Sequence, residues 1–101
     1  MNDSFSSRVI IASDVLWRVV GEEAVLLNLK TEQYLGLDSI GTRMWTVLIN
    51  SPCVQDGYDV LLHEYNVEPE RLRQDLDEFL QKLLQEALIE LGSTETVSEV
   101  S

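Results

Sequence analysis

Few side chains in this sequence have the chemistry for catalysis or metal binding, and they lie apart from one another. His63 is the single histidine and Cys53 the single cysteine in 101 residues, so a histidine-assisted nucleophile or a multi-histidine metal site has almost no material. Cys53 follows Pro52 at a predicted helix start, but no base or second cysteine forms a motif with it. We interpret Cys53 as a small residue at a helix terminus and His63 as an exposed polar residue.

The acidic residues Asp75, Asp77 and Glu78 are the other group to consider. On a helix, Asp75 and Glu78 are neighbours at i and i+3, whereas Asp77 points elsewhere. No glycine-rich metal loop surrounds them, and Gly36 and Gly41 are too few and wrongly placed for a phosphate-binding loop. The sequence therefore predicts no enzyme activity, no cofactor and no metal site, and it predicts a solvated helix face at these acids.

The chain carries a formal net charge of −11, most of it in the second half. Residues 1–50 contain 6 acids and 4 bases, whereas residues 51–101 contain 12 acids and 3 bases. Such a field repels nucleic-acid phosphates and acidic membrane surfaces, and no apolar run approaches the ~18 residues of a membrane span. Without a secretory signal, and with a lone cysteine that suits a reducing compartment, we expect a cytoplasmic protein that binds neither nucleic acid nor membrane.

Three β-rich stretches come first in the chain. The polar "GEE" separates "VLWRVV" at 15–20 from "AVLLNL" at 24–29, which predicts a hairpin. After the polar "KTEQ", the stretch "YLGL" at 34–37 predicts a third antiparallel strand at an edge of the sheet.

Three helical patterns follow the strands. Asp38 or Ser39 can cap the first helix, which continues to about Ile49, and "NSP" precedes a second helix at 53–65. A third and longer helix begins at Pro69, with apolar residues at helical spacing and charged residues on its opposite side. Its apolar positions are Leu72, Leu76, Phe79, Leu80, Leu83 and Leu84.

Strands followed by helices indicate an α+β fold with one segregated sheet. A three-stranded antiparallel sheet followed by three helices has a winged helix-turn-helix composition, which raises DNA binding as one function. The third helix and its lead-in offer phosphates more acids than bases, which disfavours that function. We assign residues 8–91 to one folded domain and predict flexible polar tails at residues 1–7 and 92–101.

The predicted third strand has the features of a peptide-binding edge. Alternation directs Leu35 and Leu37 inward and Tyr34 and Gly36 to the other face, whereas Trp45 is expected in the core. Unpaired N–H and C=O groups on an exposed edge recruit other strands, so this edge can bind a peptide or a second copy. We therefore expect a monomer or a weak homodimer.

Two longer stretches carry a family resemblance: "EEAVLLNLKTEQYLGLDSIGTRMWTVL" and "VLLHEYNVEPERLRQDLDEFLQKLLQEALI". They resemble the PqqD-like family, the elements that recognise precursors of ribosomally synthesised and post-translationally modified peptides (RiPPs). The resemblance covers about residues 15–91 and is greatest to stand-alone members of lasso-peptide pathways. The chain has Glu32 in the second hairpin turn and Ala87 after the third helix, where the family often has glycine.

The resemblance implies a domain that binds the leader segment of a precursor peptide. In such a domain the leader adds as a strand to the third strand, lies against the third helix and is presented to a processing enzyme such as a leader peptidase. Carried onto this chain, the peptide-binding residues are Gln33, Tyr34, Leu35, Gly36 and Leu37 on the strand, and Leu72, Asp75, Leu76 and Phe79 on the helix.

These helix residues have distinct expected roles. Leu72, Leu76 and Phe79 would line a pocket for apolar leader side chains, although Leu76 and Phe79 can equally fill the core. Asp75 or Glu78 at the rim would meet a basic leader residue. Two other functions remain open at this stage, a PqqD-type peptide chaperone for a radical SAM maturase and a winged-helix DNA-binding regulator.

Overall fold

The computed structural model describes residues 4–93. After a 3-10 turn at Ser4–Ser6, its elements are β1 (Ser7–Ile11), β2 (Val15–Val20), β3 (Glu23–Asn28), β4 (Gln33–Leu37), α1 (Ser39–Ile49), α2 (Val54–Glu64), α3 (Pro69–Gln85) and β5 (Ile89–Ser93). The predicted α+β order is confirmed, and β2, β3 and β4 are the three predicted strands. Within this described part, no helix has both the length and the apolar character needed to cross a membrane.

The three-stranded sheet has the order β2, β3, β4, so β4 is an edge strand. Trp17 pairs with Leu26 and Leu26 with Leu35, and these side chains share the inner face of the sheet. Ala24 and Leu26 are fully buried on this face. Trp45 of α1 is also buried and lies edge-on to Trp17, with 5.7 Å between ring centroids. The predicted core position of Trp45 is confirmed.

A single residue, Asp38, separates β4 from α1 and fixes the start of the helix. Its Oδ1 accepts a hydrogen bond from the N–H of Gly41 at 2.8 Å, which satisfies one free amide of the first turn. This short connection keeps the first turn of α1 beside the end of β4. All three helices bury apolar residues in one core, including Leu48 of α1, Leu61 of α2 and Leu76 of α3.

A second sheet joins the two ends of the described chain and was not predicted. β1 and β5 pair in antiparallel fashion, from Ser7 opposite Ser93 to Ile11 opposite Ile89. Before β1, the buried Phe5 ring packs against α2 and α3. Ordered structure therefore reaches beyond the predicted domain limits of 8 and 91, whereas residues 1–3 and 94–101 of the predicted tails lie outside the described residues.

Two non-glycine residues adopt left-handed backbone conformations, Glu32 with a φ of 64° and Ala87 with a φ of 59°. Ala87 follows α3, where its N–H donates to the carbonyl of Leu84 at 3.0 Å and the N–H of Leu88 donates to that of Leu83 at 3.0 Å. These two bonds form a Schellman motif, in which glycine is favoured because it has no Cβ. The chain therefore forms turns of the kind that favours glycine with other residues at both positions.

Asn28 ties the β3–β4 turn to the end of α3. Its buried side chain accepts hydrogen bonds through Oδ1 from the N–H groups of Lys30 at 2.9 Å and Thr31 at 3.0 Å. Its Nδ2 donates to the carbonyl of Ala87 at 2.8 Å. This one side chain thereby fixes the start of β4 relative to the C-terminal end of α3.

Candidate functional site

A groove of about 560 Å³ separates the open edge of β4 from α3. Its β4 side consists of Leu35, Gly36 and Leu37, and the start of α1 closes it with Asp38, Gly41 and Met44. Its α3 side consists of Asp75, Glu78, Phe79 and Lys82. The floor is therefore largely apolar and the α3 rim is charged.

The register of the sheet determines which backbone groups of β4 face the open edge. The N–H of Leu29 donates to the carbonyl of Asp14 at 2.8 Å, next to the Val15–Asn28 pair, so residues 14 and 29 form a hydrogen-bonded pair. Residues of an antiparallel strand alternate between their two neighbours. Residues 24, 26 and 28 of β3 therefore direct their N–H and C=O groups toward β4.

The partners of those residues on β4 are Leu37, Leu35 and Gln33. The backbone groups of Leu37 and Leu35 are consequently used inside the sheet, whereas the N–H of Gln33 donates to Thr31 Oγ1 at 3.3 Å. The alternate residues, Tyr34 and Gly36, direct their N–H and C=O groups away from β3 and toward the open edge. An incoming strand can form hydrogen bonds with these two residues.

The five predicted strand residues occupy different positions. Leu37 is buried, Leu35 is half-buried, and both line the groove together with Gly36. Tyr34 is exposed on the outer face of the sheet, as alternation predicts, and does not line the groove. Gln33 is exposed at the start of β4 and also lies outside the groove lining.

The four predicted helix residues divide into two pairs. Asp75 and Phe79 line the groove, and Phe79 is half-buried. Leu72 and Leu76 are buried in the core and are not part of the groove lining. Leu72 and Leu76 thus have the burial of core residues, and their pocket role stays a prediction.

Sequence reasoning missed Asp38, Gly41, Met44 and Lys82 as parts of this site. Lys82 could have been found, since it lies seven residues after Asp75 and thus shares its side of the helix. Met44 belongs to the apolar stripe of α1, and its contribution to the groove depends on how α1 follows β4.

The α3 rim of the groove carries charges of both signs. Asp75 forms an exposed ion pair with Arg71, with 3.6 Å between Oδ2 and Nε, and Glu78 accepts a 3.4 Å hydrogen bond from Gln74. Lys82 adds a positive charge to the groove near the C-terminal end of α3. Surface pairs of this kind contribute little stability, so these side chains are available to reorient toward a bound peptide.

A second ion pair, between Arg43 and Glu64, links α1 to α2 away from the groove. The Arg43 Nε donates to Glu64 Oε1 at 2.9 Å, and the Nη2 group donates to Oε2. These hydrogen bonds lower the pKa of the Glu64 carboxyl and raise the pKa of the Arg43 guanidinium. The pair fastens the two helices at the surface.

His63 and Cys53, two of the residues considered for catalysis, lie away from the groove. His63 is exposed on α2, with its Nδ1 3.1 Å from the carbonyl oxygen of Asp59, and Cys53 is half-buried at the N-cap of α2. Within residues 4–93, no group of three or more His, Cys, Asp or Glu side chains is arranged to hold a metal ion. The arrangement of β4 and α3 offers hydrogen bonds and apolar contacts, which is the chemistry of binding.

Comparison with known proteins assigns the fold to a family. The chain matches the family described as coenzyme PQQ synthesis protein D (PqqD) over residues 23–89. The chain belongs to the PqqD family. The matched region begins with β3 and ends at the first residue of β5, so it contains both β4 and α3 of the groove.

A solved structure gives a second comparison for this PqqD-family chain. The structure of TbiB1 in complex with the TbiA(beta) leader peptide is similar, with a TM-score of 0.73 and 34% sequence identity. The similarity covers 80% of this chain and 94% of TbiB1. A search of curated protein sequences found no match.

Proposed function

We propose that this protein is a non-catalytic adaptor that binds the leader segment of a ribosomally synthesised precursor peptide. The leader adds as a strand to β4, with α3 as the opposite wall, and the adaptor presents it to a processing enzyme, the leader peptidase of a lasso-type pathway. The observation that carries this proposal is the unpaired edge of β4, which faces an apolar groove. The leader-peptide complex of the similar protein TbiB1 supports it.

The dimensions of the site suit a short extended peptide. The five residues of β4 offer an edge of about 17 Å at ~3.4 Å per residue. Along α3, Asp75 and Lys82 lie about 10 Å apart at ~1.5 Å per residue. A strand of this length directs two or three alternate side chains into the groove.

The groove also indicates which leader side chains fit. Phe79, Leu35 and Met44 form an apolar surface suited to aliphatic or aromatic anchors. Asp75 and Glu78 favour a basic leader residue beside the middle of α3. Lys82 favours an acidic leader residue nearer the C-terminal end of that helix. Rim charges of this type mainly set the association rate and the register of the peptide.

A proline scan at the edge of β4 tests strand addition. Gly36→Pro removes an outward N–H that no strand of the described sheet uses, and proline is tolerated at such an edge position. Gly36→Ala is the matched control, because a Cβ at Gly36 meets no atom within 4 Å and the N–H is kept. Proline at Leu35 is unsuitable, since the Leu35 N–H is directed toward β3.

The assay is fluorescence anisotropy with a labelled leader peptide from the precursor gene that neighbours the gene of this protein. Losing one hydrogen bond and leaving a leader carbonyl unpaired costs about 1–3 kcal/mol, which weakens binding by about 5- to 150-fold. We expect this loss for Gly36→Pro and near wild-type binding for Gly36→Ala, with both variants folded by circular dichroism. Equal binding by the two variants refutes strand addition at β4, and no binding by wild type refutes the adaptor function.

A further inference from the structure

The face of the three-stranded sheet opposite the helices, here called the outer sheet face, is apolar. Its exposed residues are Leu16 at 58%, Val20 at 65%, Val25 at 43% and Tyr34 at 71% of their full accessible area. Cross-strand pairing joins Leu16 to Leu27 and Leu27 to Tyr34, so an apolar row crosses all three strands.

This composition is unusual for an antiparallel sheet that covers a core on one side. Such sheets normally alternate apolar residues inward with polar residues outward. Here the outer positions of β2 and β3 are also largely apolar, and a shallow hollow of about 360 Å³ lies among Leu16, Trp17, Arg18, Val25 and Leu27. Exposed apolar patches of this kind mark interaction surfaces.

We propose that the outer sheet face docks the enzyme that processes the leader-bound precursor. The matching surface of that enzyme is an apolar patch bordered by lysine and arginine side chains. This inference rests on the proposed function and adds to it the place where the enzyme binds.

The outer sheet face is continuous with the leader-binding edge of β4. A strand added to β4 extends the same sheet, so its alternate side chains emerge beside Tyr34 and Gly36 on the outer face. An enzyme that covers this face therefore contacts the adaptor and the leader together. It binds the loaded adaptor more tightly than the empty one.

The charges around the outer sheet face also favour a basic partner. Glu22 and Glu32 lie in the turns at its opposite ends, and Glu23 lies on its β3 row. These three acids outnumber the two bases, Arg18 on the β2 row and Lys30 in the β3–β4 turn. The chain as a whole carries −11, which repels a second copy and attracts a basic surface. Charge complementarity thus favours a basic enzyme surface over self-association.

The test measures binding of the fluorescently labelled adaptor to the purified leader peptidase encoded beside the precursor gene, with and without leader peptide. Leu16→Lys places a charge on the outer sheet face at β2, the strand farthest from the leader edge. Leu16→Ser removes the apolar contact without adding charge. Val67→Lys is the matched control, because Val67 is also exposed but lies in the α2–α3 turn.

We expect Leu16→Lys to weaken enzyme binding at least tenfold, Leu16→Ser to weaken it less, and Val67→Lys to leave it unchanged. Leader binding by anisotropy should stay at the wild-type value in all three variants, and leader should tighten enzyme binding by wild type. Raising the salt concentration should weaken enzyme binding.

Three results would overturn the inference. They are absence of enzyme binding by wild type, equal enzyme binding by wild type and Leu16→Lys, and a wild-type dimer in sedimentation analysis that Leu16→Lys dissociates. The last result would assign the outer sheet face to a second copy. Loss of leader binding in wild type would instead refute the proposed function, so the two failures are distinguishable.

Discussion

Leu76→Ala should mainly lower the stability of the protein, whereas Phe79→Ala should mainly weaken leader binding. The two residues are three apart on α3, but Leu76 has 0% of its area exposed and lies in the core, whereas Phe79 is half-buried and lines the groove. Removing a fully buried leucine loses the transfer free energy of its side chain and leaves a cavity. Removing a groove wall loses contacts that form only when a peptide is bound.

The magnitudes separate the two variants clearly. Leu76→Ala should cost about 3–5 kcal/mol of unfolding free energy, and 3 kcal/mol lowers the Tm of a domain of this size by about 12–24 °C. Phe79→Ala should cost about 1–2 kcal/mol of stability because the ring is only half-buried. Its main effect should be a loss of about 1–3 kcal/mol in leader binding, or about 5- to 150-fold in Kd.

Thermal unfolding by circular dichroism and leader titration at a temperature well below both Tm values measure the two quantities. Folded Leu76→Ala should bind leader within about threefold of wild type. A wild-type Tm with lost leader binding in Leu76→Ala would show that Leu76 does not belong to the core alone. Phe79 would not be part of the peptide site if Phe79→Ala lowers the Tm as much as Leu76→Ala and binds leader normally.

Two further perturbations concern the frame around the groove. Ala87→Gly should raise the unfolding free energy by about 0.5–1 kcal/mol, because it relieves the left-handed backbone at the end of α3. The control Gln81→Gly, at an exposed position inside α3, should lower the unfolding free energy by about 1 kcal/mol. A lower stability of Ala87→Gly than wild type in urea unfolding would show that Ala87 is not strained. Glu64 has a lowered pKa in the folded protein, so its ion pair with Arg43 stabilises the fold above the pKa of the unfolded chain. That contribution is lost as the pH falls below the ordinary carboxyl pKa of 4.5 and then through the lower pKa of Glu64 in the folded protein. Glu64→Gln should therefore have a lower Tm than wild type near neutral pH. Between pH 5 and pH 3 its Tm should fall less than the Tm of wild type. Parallel Tm curves for the two proteins would show that the ion pair does not contribute to stability.

The groove was only partly predictable from sequence. Strand alternation identified Leu35, Leu37 and the outward direction of Tyr34, because alternation is a local property of extended backbone. A helical stripe of apolar residues shows that one side of α3 is buried, but it does not show where burial ends and the groove begins. That boundary separates Leu76 from Phe79, and it depends on the rotation of α3 against its neighbours.

The sequence by itself determined the elements from β2 to α3 and their order. Alternating and helically spaced apolar residues specified β2 to β4 and α1 to α3, and a capping residue at Asp38 or Ser39 specified where β4 ends and α1 begins. These features depend on interactions within a few residues, so the local pattern is sufficient to predict them.

Only the tertiary structure decided how the first and last strands pair and which residues line the groove. The pairing of β1 with β5 joins Ser7 to Ser93, and two short strands so far apart carry no local signal for each other. The Asn28 side chain similarly connects to Ala87, 59 residues away, and fixes β4 against α3. Burial and hydrogen bonding between distant segments are satisfied only in the assembled fold, and they determine which side chains a bound peptide meets.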